Sequence, residues 1–209
     1  MEMHHLLNKC TKKLEFLVIS FVVSFYLLSI YDTIFSSHKI IPLYFCLLSL
    51  YYYISLLTCV PGEYIDFNTV ERICKKCNRL SGRQSVHCEI CNRCFYKRDH
   101  HCVITGKCIE SNNLKYMYLT VLFLFIYSLF AMFRTGGLKE LTFFYNFTCI
   151  LSGFLLIWVT LLILTDKTTA NLLKDIDIKD LRLKNIKKIV ENGWICTLCP
   201  VFYRSVKTT

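Results

Sequence analysis

Four apolar stretches dominate this chain: Leu14–Tyr31, Ile40–Val60, Tyr116–Phe133 and Leu141–Leu164. A helix needs about 20 mostly apolar residues to cross the hydrocarbon core of a bilayer. The second and fourth stretches meet that length. The first and third fall slightly short, and long flanking side chains can reach the interface for them. A bundle of buried soluble helices is the alternative. Against it, 54% of the 209 residues are hydrophobic, above the usual share for a soluble domain, and only 7 Gly and 3 Pro interrupt them. The expected fold class is therefore an all-α integral membrane protein with four transmembrane helices. Phe16–Tyr31 follows basic residues as a signal sequence would. It is long for an h-region, however, and no small-x-small cleavage site follows it.

Four spans put both termini and the 61–115 loop on one side of the membrane. The two short connectors on the other side hold only Lys39, Arg134 and Lys139 of the 25 Lys and Arg. Basic residues collect on the cytosolic side of a membrane protein, so the loop and the termini are expected there. The +10 net charge then belongs to a membrane-facing or ligand-facing surface, and no nucleic-acid partner is expected. Four segments follow: 1–60, the cytosolic N-terminus and spans one and two; 61–115, a cytosolic cysteine-rich domain; 116–164, spans three and four; and 165–209, a cytosolic tail. In the tail, Leu172, Leu173, Ile176, Leu183, Ile186 and Val190 would form one apolar stripe on a helix, either on the bilayer or packed on the loop domain. There is no internal repeat.

The 13 Cys are an odd number, and a cytosolic loop is reducing, which favours metal ligation over disulfides. The loop reads Cys74-x2-Cys77-x9-His87-Cys88-x2-Cys91-x2-Cys94-x4-Asp99-His100-His101-Cys102-x5-Cys108. Cys pairs at two-residue spacing with His nearby are a zinc signature. Seven Cys and three His make ten donors, and two tetrahedral sites use eight. Two donors are left over, and a purely structural module has no need of a spare Cys beside a spare His. A Cys–His pair within reach is the usual means of making a thiolate nucleophile at neutral pH, and a carboxylate can orient the imidazole. Asp99, His100 and Cys102 supply these three groups, and in an extended segment His100 and Cys102 project to the same face.

The loop resembles the cysteine-rich domain of the DHHC family of protein S-acyltransferases, or palmitoyltransferases. The motif Asp99-His100-His101-Cys102 is intact, the spacings up to Cys108 match, and Asn113 matches the Asn that follows. Thr168-Thr169-Ala170-Asn171 resembles the family's Thr-Thr-x-Glu motif, with Asn171 in the Glu position, and Asn185 is similar in place to the Asn of its C-terminal motif. The resemblance implies a four-span protein with a zinc-binding cysteine-rich domain between spans two and three. It assigns Cys74, Cys77, His87 and Cys94 to one structural Zn2+, and Cys88, Cys91, His101 and Cys108 to a second. It makes Cys102 the acylated nucleophile, His100 its base and Asp99 the orienting group. Several positions depart from the family pattern: Val103-Ile104 in place of Pro-Trp, Ser81-Gly82 in place of Lys-Pro, Glu110 in place of Gly and Met117 in place of Phe.

The activity implied is transfer of a fatty acyl group, from palmitoyl-CoA or another long-chain acyl-CoA, through Cys102 to cysteine thiols of membrane-associated substrate proteins. An accessory subunit and an endoplasmic reticulum or Golgi location are also within what the resemblance implies. Arg93, Lys97, Arg98 and Lys107 flank the nucleophile and are candidates for the coenzyme A phosphates or for lipid headgroups. Cys196-x2-Cys199 is half a zinc site without a second pair, and reads as free or acylated tail thiols. The rival reading is a non-catalytic zinc-bearing membrane adaptor derived from the same family. The lost Pro-Trp and the altered Thr-Thr-x-Glu favour it, and the retained Asp-His-Cys set speaks against it.

Overall fold

Where the four apolar stretches lie, the chain is helical. The computed structural model describes residues 2–36, 39–59, 70–133, 140–174, 181–189 and 197–198. Helices α1 (Glu2–Ile34), α2 (Ile40–Thr58), α3 (Leu114–Met132) and α4 (Glu140–Thr165) are each long and apolar enough to cross a membrane. At 1.5 Å per residue, the 19-residue α2 and α3 match the roughly 30 Å hydrocarbon core. The 33-residue α1 is longer by more than a third, so one end must project beyond the core. The outward faces carry large apolar side chains, among them Phe21, Ile150 and Phe154.

Two clusters hold the helices together. Leu48 and Tyr52 of α2, Leu119 and Phe123 of α3, and Val159 and Ile163 of α4 form one. Tyr26, Cys46, Tyr53, Tyr127 and Tyr145 form the other. The buried tyrosine hydroxyls find partners: Tyr26 bonds Ser49 at 2.7 Å, and Tyr145 donates to Asp32 at 2.8 Å. Buried polar groups in an apolar surrounding are costly unless paired in this way. Among the described residues every cysteine is a free thiol.

The cysteine-rich segment between α2 and α3 corrects the all-α expectation. It contains six short strands, paired as three antiparallel hairpins: β1 (Val70–Ile73) with β2 (Leu80–Gly82), β3 (Ser85–Cys88) with β4 (Arg93–Tyr96), and β5 (His100–Cys102) with β6 (Lys107–Ile109). The physical reason lies in the turns. The sequence Cys-x2-Cys-Asn-Arg occurs twice, at 74–79 and 88–93, a short repeat not recognised from the sequence. In both copies the Asn is left-handed, Asn78 at φ 54° and Asn92 at φ 50°. Asn tolerates that region better than most residues, so it reverses the chain and brings both Cys to one side. Gly106, at φ 62°, does the same between β5 and β6.

All three hairpins sit at one end of the bundle, the end where α2 stops, α3 starts and α4 stops. Lys107 Nζ donates to the orphan carbonyls of Leu57 and Cys59 at the end of α2. Asn113 Nδ2 donates to Cys108 O and its Oδ1 accepts from Glu110 N–H, each at 2.9 Å, fastening β6 to the start of α3.

The tail is not one amphipathic helix. Helix α5 spans only Thr169–Leu172, Arg182 is extended, and a 3-10 turn covers Leu183–Lys188. The carbonyl of Leu164 at the end of α4 explains the break. It accepts the Arg182 N–H at 3.0 Å and the Asn185 amide at 2.9 Å, which holds 182–185 against the helix end. Leu172 and Ile189 are buried; Leu173 and Leu183 are exposed. Ile176, Val190, Cys196 and Cys199 lie outside the described residues.

Candidate functional site

Two groups of four side chains meet closely enough to hold a metal ion. They are Cys74, Cys77, His87 and Cys94, and Cys88, Cys91, His101 and Cys108. The hairpins interleave the ligands: each Cys-x2-Cys turn receives a His and a Cys from another hairpin. In the first group Cys77 and Cys94 Sγ are 3.8 Å apart, and His87 Nδ1 lies 3.7 Å from Cys74 Sγ and 3.9 Å from Cys94 Sγ. In the second, Cys91 and Cys108 Sγ are 3.7 Å apart, and His101 Nδ1 lies 3.7, 3.3 and 3.8 Å from the sulfurs of Cys88, Cys91 and Cys108. A tetrahedron with metal–sulfur bonds of about 2.3 Å has sulfur–sulfur edges of about 3.8 Å. Each set therefore fits one four-coordinate ion with three sulfurs and one imidazole.

Cys102 is in neither group. It ends β5 and is buried beside Leu56 of α2 and Ile109 of β6. His100 stands two residues earlier on the same strand, close enough that the imidazole and the Cys102 thiol each shift the other's titration. On its other side, His100 Nδ1 lies 2.7 Å from Asp99 Oδ2. Asp99 is itself held from across the chain. The backbone N–H and the hydroxyl of Thr169 both donate to it, the hydroxyl at 2.9 Å to Oδ2. Trp158 Nε1 donates to that hydroxyl at 3.4 Å. Thr169 belongs to the Thr-Thr pair noticed in the sequence, and the structure gives it a specific partner.

The electrostatics follow from these contacts. The hydrogen bond from His100 to Asp99 raises the imidazole to about 9, assisted by the Cys102 contact and opposed by burial. Burial pushes the Cys102 thiol up, but His100, the Thr105 hydroxyl and the Ile104 backbone outweigh it and leave the thiol below its ordinary value. Burial likewise raises Asp99, and the bonds from His100 and Thr169 more than reverse it. The two shifts run in the directions that favour an imidazolium at His100 and a thiolate at Cys102 over the neutral pair. Sequence reasoning did not find Tyr53. Its hydroxyl donates to Ile104 O at 2.8 Å and fixes the turn after Cys102, at the position that departs from the family's Pro-Trp.

The four basic candidates separate, with Lys107 taken up by the carbonyls at the end of α2. Lys97 and Arg98 line a cavity of about 1090 Å³ beside Asp99, along with Arg83, Lys167 and Arg182. Lys97 pairs with Asp166 at 2.8 Å, and Arg98 Nε donates to Cys108 Sγ at 3.3 Å. Arg93 is elsewhere: its guanidinium stacks 5.4 Å over Phe95, in a depression with Lys12 and Glu15.

Among curated proteins none matches the chain. A family model does: residues 67–145 match the one described as DHHC palmitoyltransferase. The Cys/His clusters and the Asp99–His100–Cys102 line all lie within that stretch, so it is this part of the chain that is similar to the DHHC palmitoyltransferase domain.

Proposed function

We propose that this protein is a protein S-acyltransferase that carries a fatty acyl group on Cys102. The observation behind this reading is the line Thr169–Asp99–His100–Cys102, which stands apart from the eight metal-ligand candidates and ends in a buried thiol at the mouth of an apolar helix bundle. A non-catalytic adaptor needs the metal clusters but has no use for an activated thiolate.

The thiolate of Cys102 attacks the carbonyl carbon of a long-chain acyl-CoA. A new thioester forms, the bond to the coenzyme A sulfur breaks, and the departing thiolate takes the proton from His100. A cysteine thiol of a substrate protein then attacks the acyl-enzyme, giving its proton to His100 as Cys102 leaves. One thioester replaces another in each step, so the work is alignment and proton placement rather than the supply of bond energy. The acyl chain gains about 0.8 kcal/mol per buried CH2, so it belongs among the apolar helices below Cys102. The polyanionic head of coenzyme A suits the basic cavity with Lys97, Arg98, Arg83 and Arg182. Arg93 lies in a different depression and falls out of that role.

Each cluster suits a structural Zn2+, whose binding energy would be folding energy for hairpins whose own buried cluster is little more than Phe95 with Cys88 and Cys108. The basic bias supports a cytosolic side for the hairpins and both termini. Substrates would be membrane-associated proteins with cytosolic cysteines near the bilayer, and an endoplasmic reticulum or Golgi membrane is the expected site. The test is incubation of purified protein with palmitoyl-CoA, followed by intact-mass analysis. An acyl adduct released by hydroxylamine supports the reading. A folded, zinc-loaded protein that forms no adduct favours the adaptor.

A further inference from the structure

Among the four apolar stretches one carboxylate is out of place. Glu15 sits near the start of the first, and it is buried. A buried carboxylate in an apolar helix is costly unless it is paired. Glu15 Oε1 lies 2.8 Å from Nε2 of His101, whose side chain is itself only 4% exposed. The other ring nitrogen, Nδ1, faces the sulfurs of Cys88, Cys91 and Cys108. With Nδ1 turned to the cluster, Nε2 carries the hydrogen and donates it to the carboxylate. A second observation concerns the space around the acid. A Cβ on residue 106 would lie 3.3 Å from a Glu15 carboxylate oxygen and 3.5 Å from Ile19. Gly106 lets the β5–β6 turn close over α1 at this point.

We propose that Glu15 is the outer ligand of the second metal cluster. It is a positioning residue that fixes the His101 imidazole, and through it strand β5, to the first transmembrane helix. This rests on the metal reading of the cluster given above. A carboxylate on the far nitrogen of a ligating imidazole fixes the tautomer and raises its basicity, and losing it costs about 10- to 100-fold in metal affinity. The first cluster provides the contrast. Its imidazole, His87, has Glu89 at 3.8 Å with a side chain that is 49% exposed, too distant for a hydrogen bond. The two clusters are therefore expected to differ in what holds them. The second borrows a group from a membrane helix, while the first, among the described residues, draws its ligands and neighbours from the hairpins alone. Because His101 immediately precedes Cys102, the same bond ties the nucleophile's strand to the helix bundle.

The test is chelator competition on the full-length protein in detergent, with zinc counted per chain. Wild type, Glu15→Ala and Glu15→Gln are compared, and acylation by palmitoyl-CoA is read on the same samples. In Glu15→Ala one of the two zincs should yield to about 10- to 100-fold less chelator while the other stays as in wild type. Glu15→Gln keeps the shape and a neutral acceptor, so it should fall between the two. Two zincs held as tightly as in wild type in both variants would overturn the role of Glu15 and leave the acyltransferase reading standing. Equal weakening of both sites would overturn it as well, because that is general unfolding. Site-selective loss in a protein whose wild type forms no acyl adduct would sustain Glu15 and remove the acyltransferase. A wild type without zinc would overturn both.

Discussion

Replacing Asp99 with Asn removes a charge from the line that ends at Cys102 while keeping its shape. The amide oxygen of the substituted side chain can still accept from Thr169, so the carboxylate charge is the main loss. His100 stands at about 9 chiefly because of that carboxylate. Its folded value is above the ordinary one, so its charge is complete below pH 6.5 and is lost as pH rises through about 9. Cys102 is lowered, so its thiolate is lost as pH falls through that lowered value. The thiolate–imidazolium pair therefore occupies the window between them. At pH 7.5 a pKa of about 9 leaves roughly 30 imidazolium for each imidazole, whereas 6.5 leaves roughly one for ten. Asp99→Asn should slide the upper edge of the window down toward 6.5 and cut the charged population about tenfold at pH 7.5. Single-turnover acylation by palmitoyl-CoA, measured from mildly acid to alkaline pH, reads this directly. The wild-type rate should fall off near 9, and the variant should be slow at neutral pH. Superimposable profiles would refute the reasoning.

Thr169→Val deletes the hydroxyl bond to Asp99 and spares the backbone bond; acylation should slow about tenfold, the value of one hydrogen bond to a charged group, with zinc content unchanged. Cys77→Ser should release one zinc and lower the unfolding temperature, read by metal analysis and a thermal melt. Glycosylation acceptors inserted in connectors 32–39 and 134–140 should be used, while those in 61–115 should stay bare; the reverse pattern would invert the topology.

Much of this architecture was legible in local pattern. Apolar runs of bilayer length announced the four helices, and the two-residue Cys spacing announced the clusters. The hairpins were hidden because their cause is conformational: Asn78 and Asn92 go left-handed, which spacing does not reveal. The interleaving of ligands came from the family resemblance rather than from residue chemistry. Contacts between distant segments were illegible. Thr169 is 70 residues from Asp99, and Glu15 is 86 from His101. The tail stripe was misread because periodicity alone does not register the Leu164 carbonyl, which captures Arg182 and Asn185 and breaks the helix.

The central claim is that Cys102 is a nucleophile and His101 a ligand, although they are adjacent. Zinc content and hydroxylamine-sensitive acyl label, measured side by side on Cys102→Ser, His100→Ala and His101→Ala, test it most directly. Cys102→Ser should keep both zincs and lose the label, because a hydroxyl is a far weaker nucleophile at neutral pH. His100→Ala should keep both zincs and acylate about 100-fold more slowly. His101→Ala should lose one zinc. Zinc lost from Cys102→Ser, or label retained by it, would contradict the account.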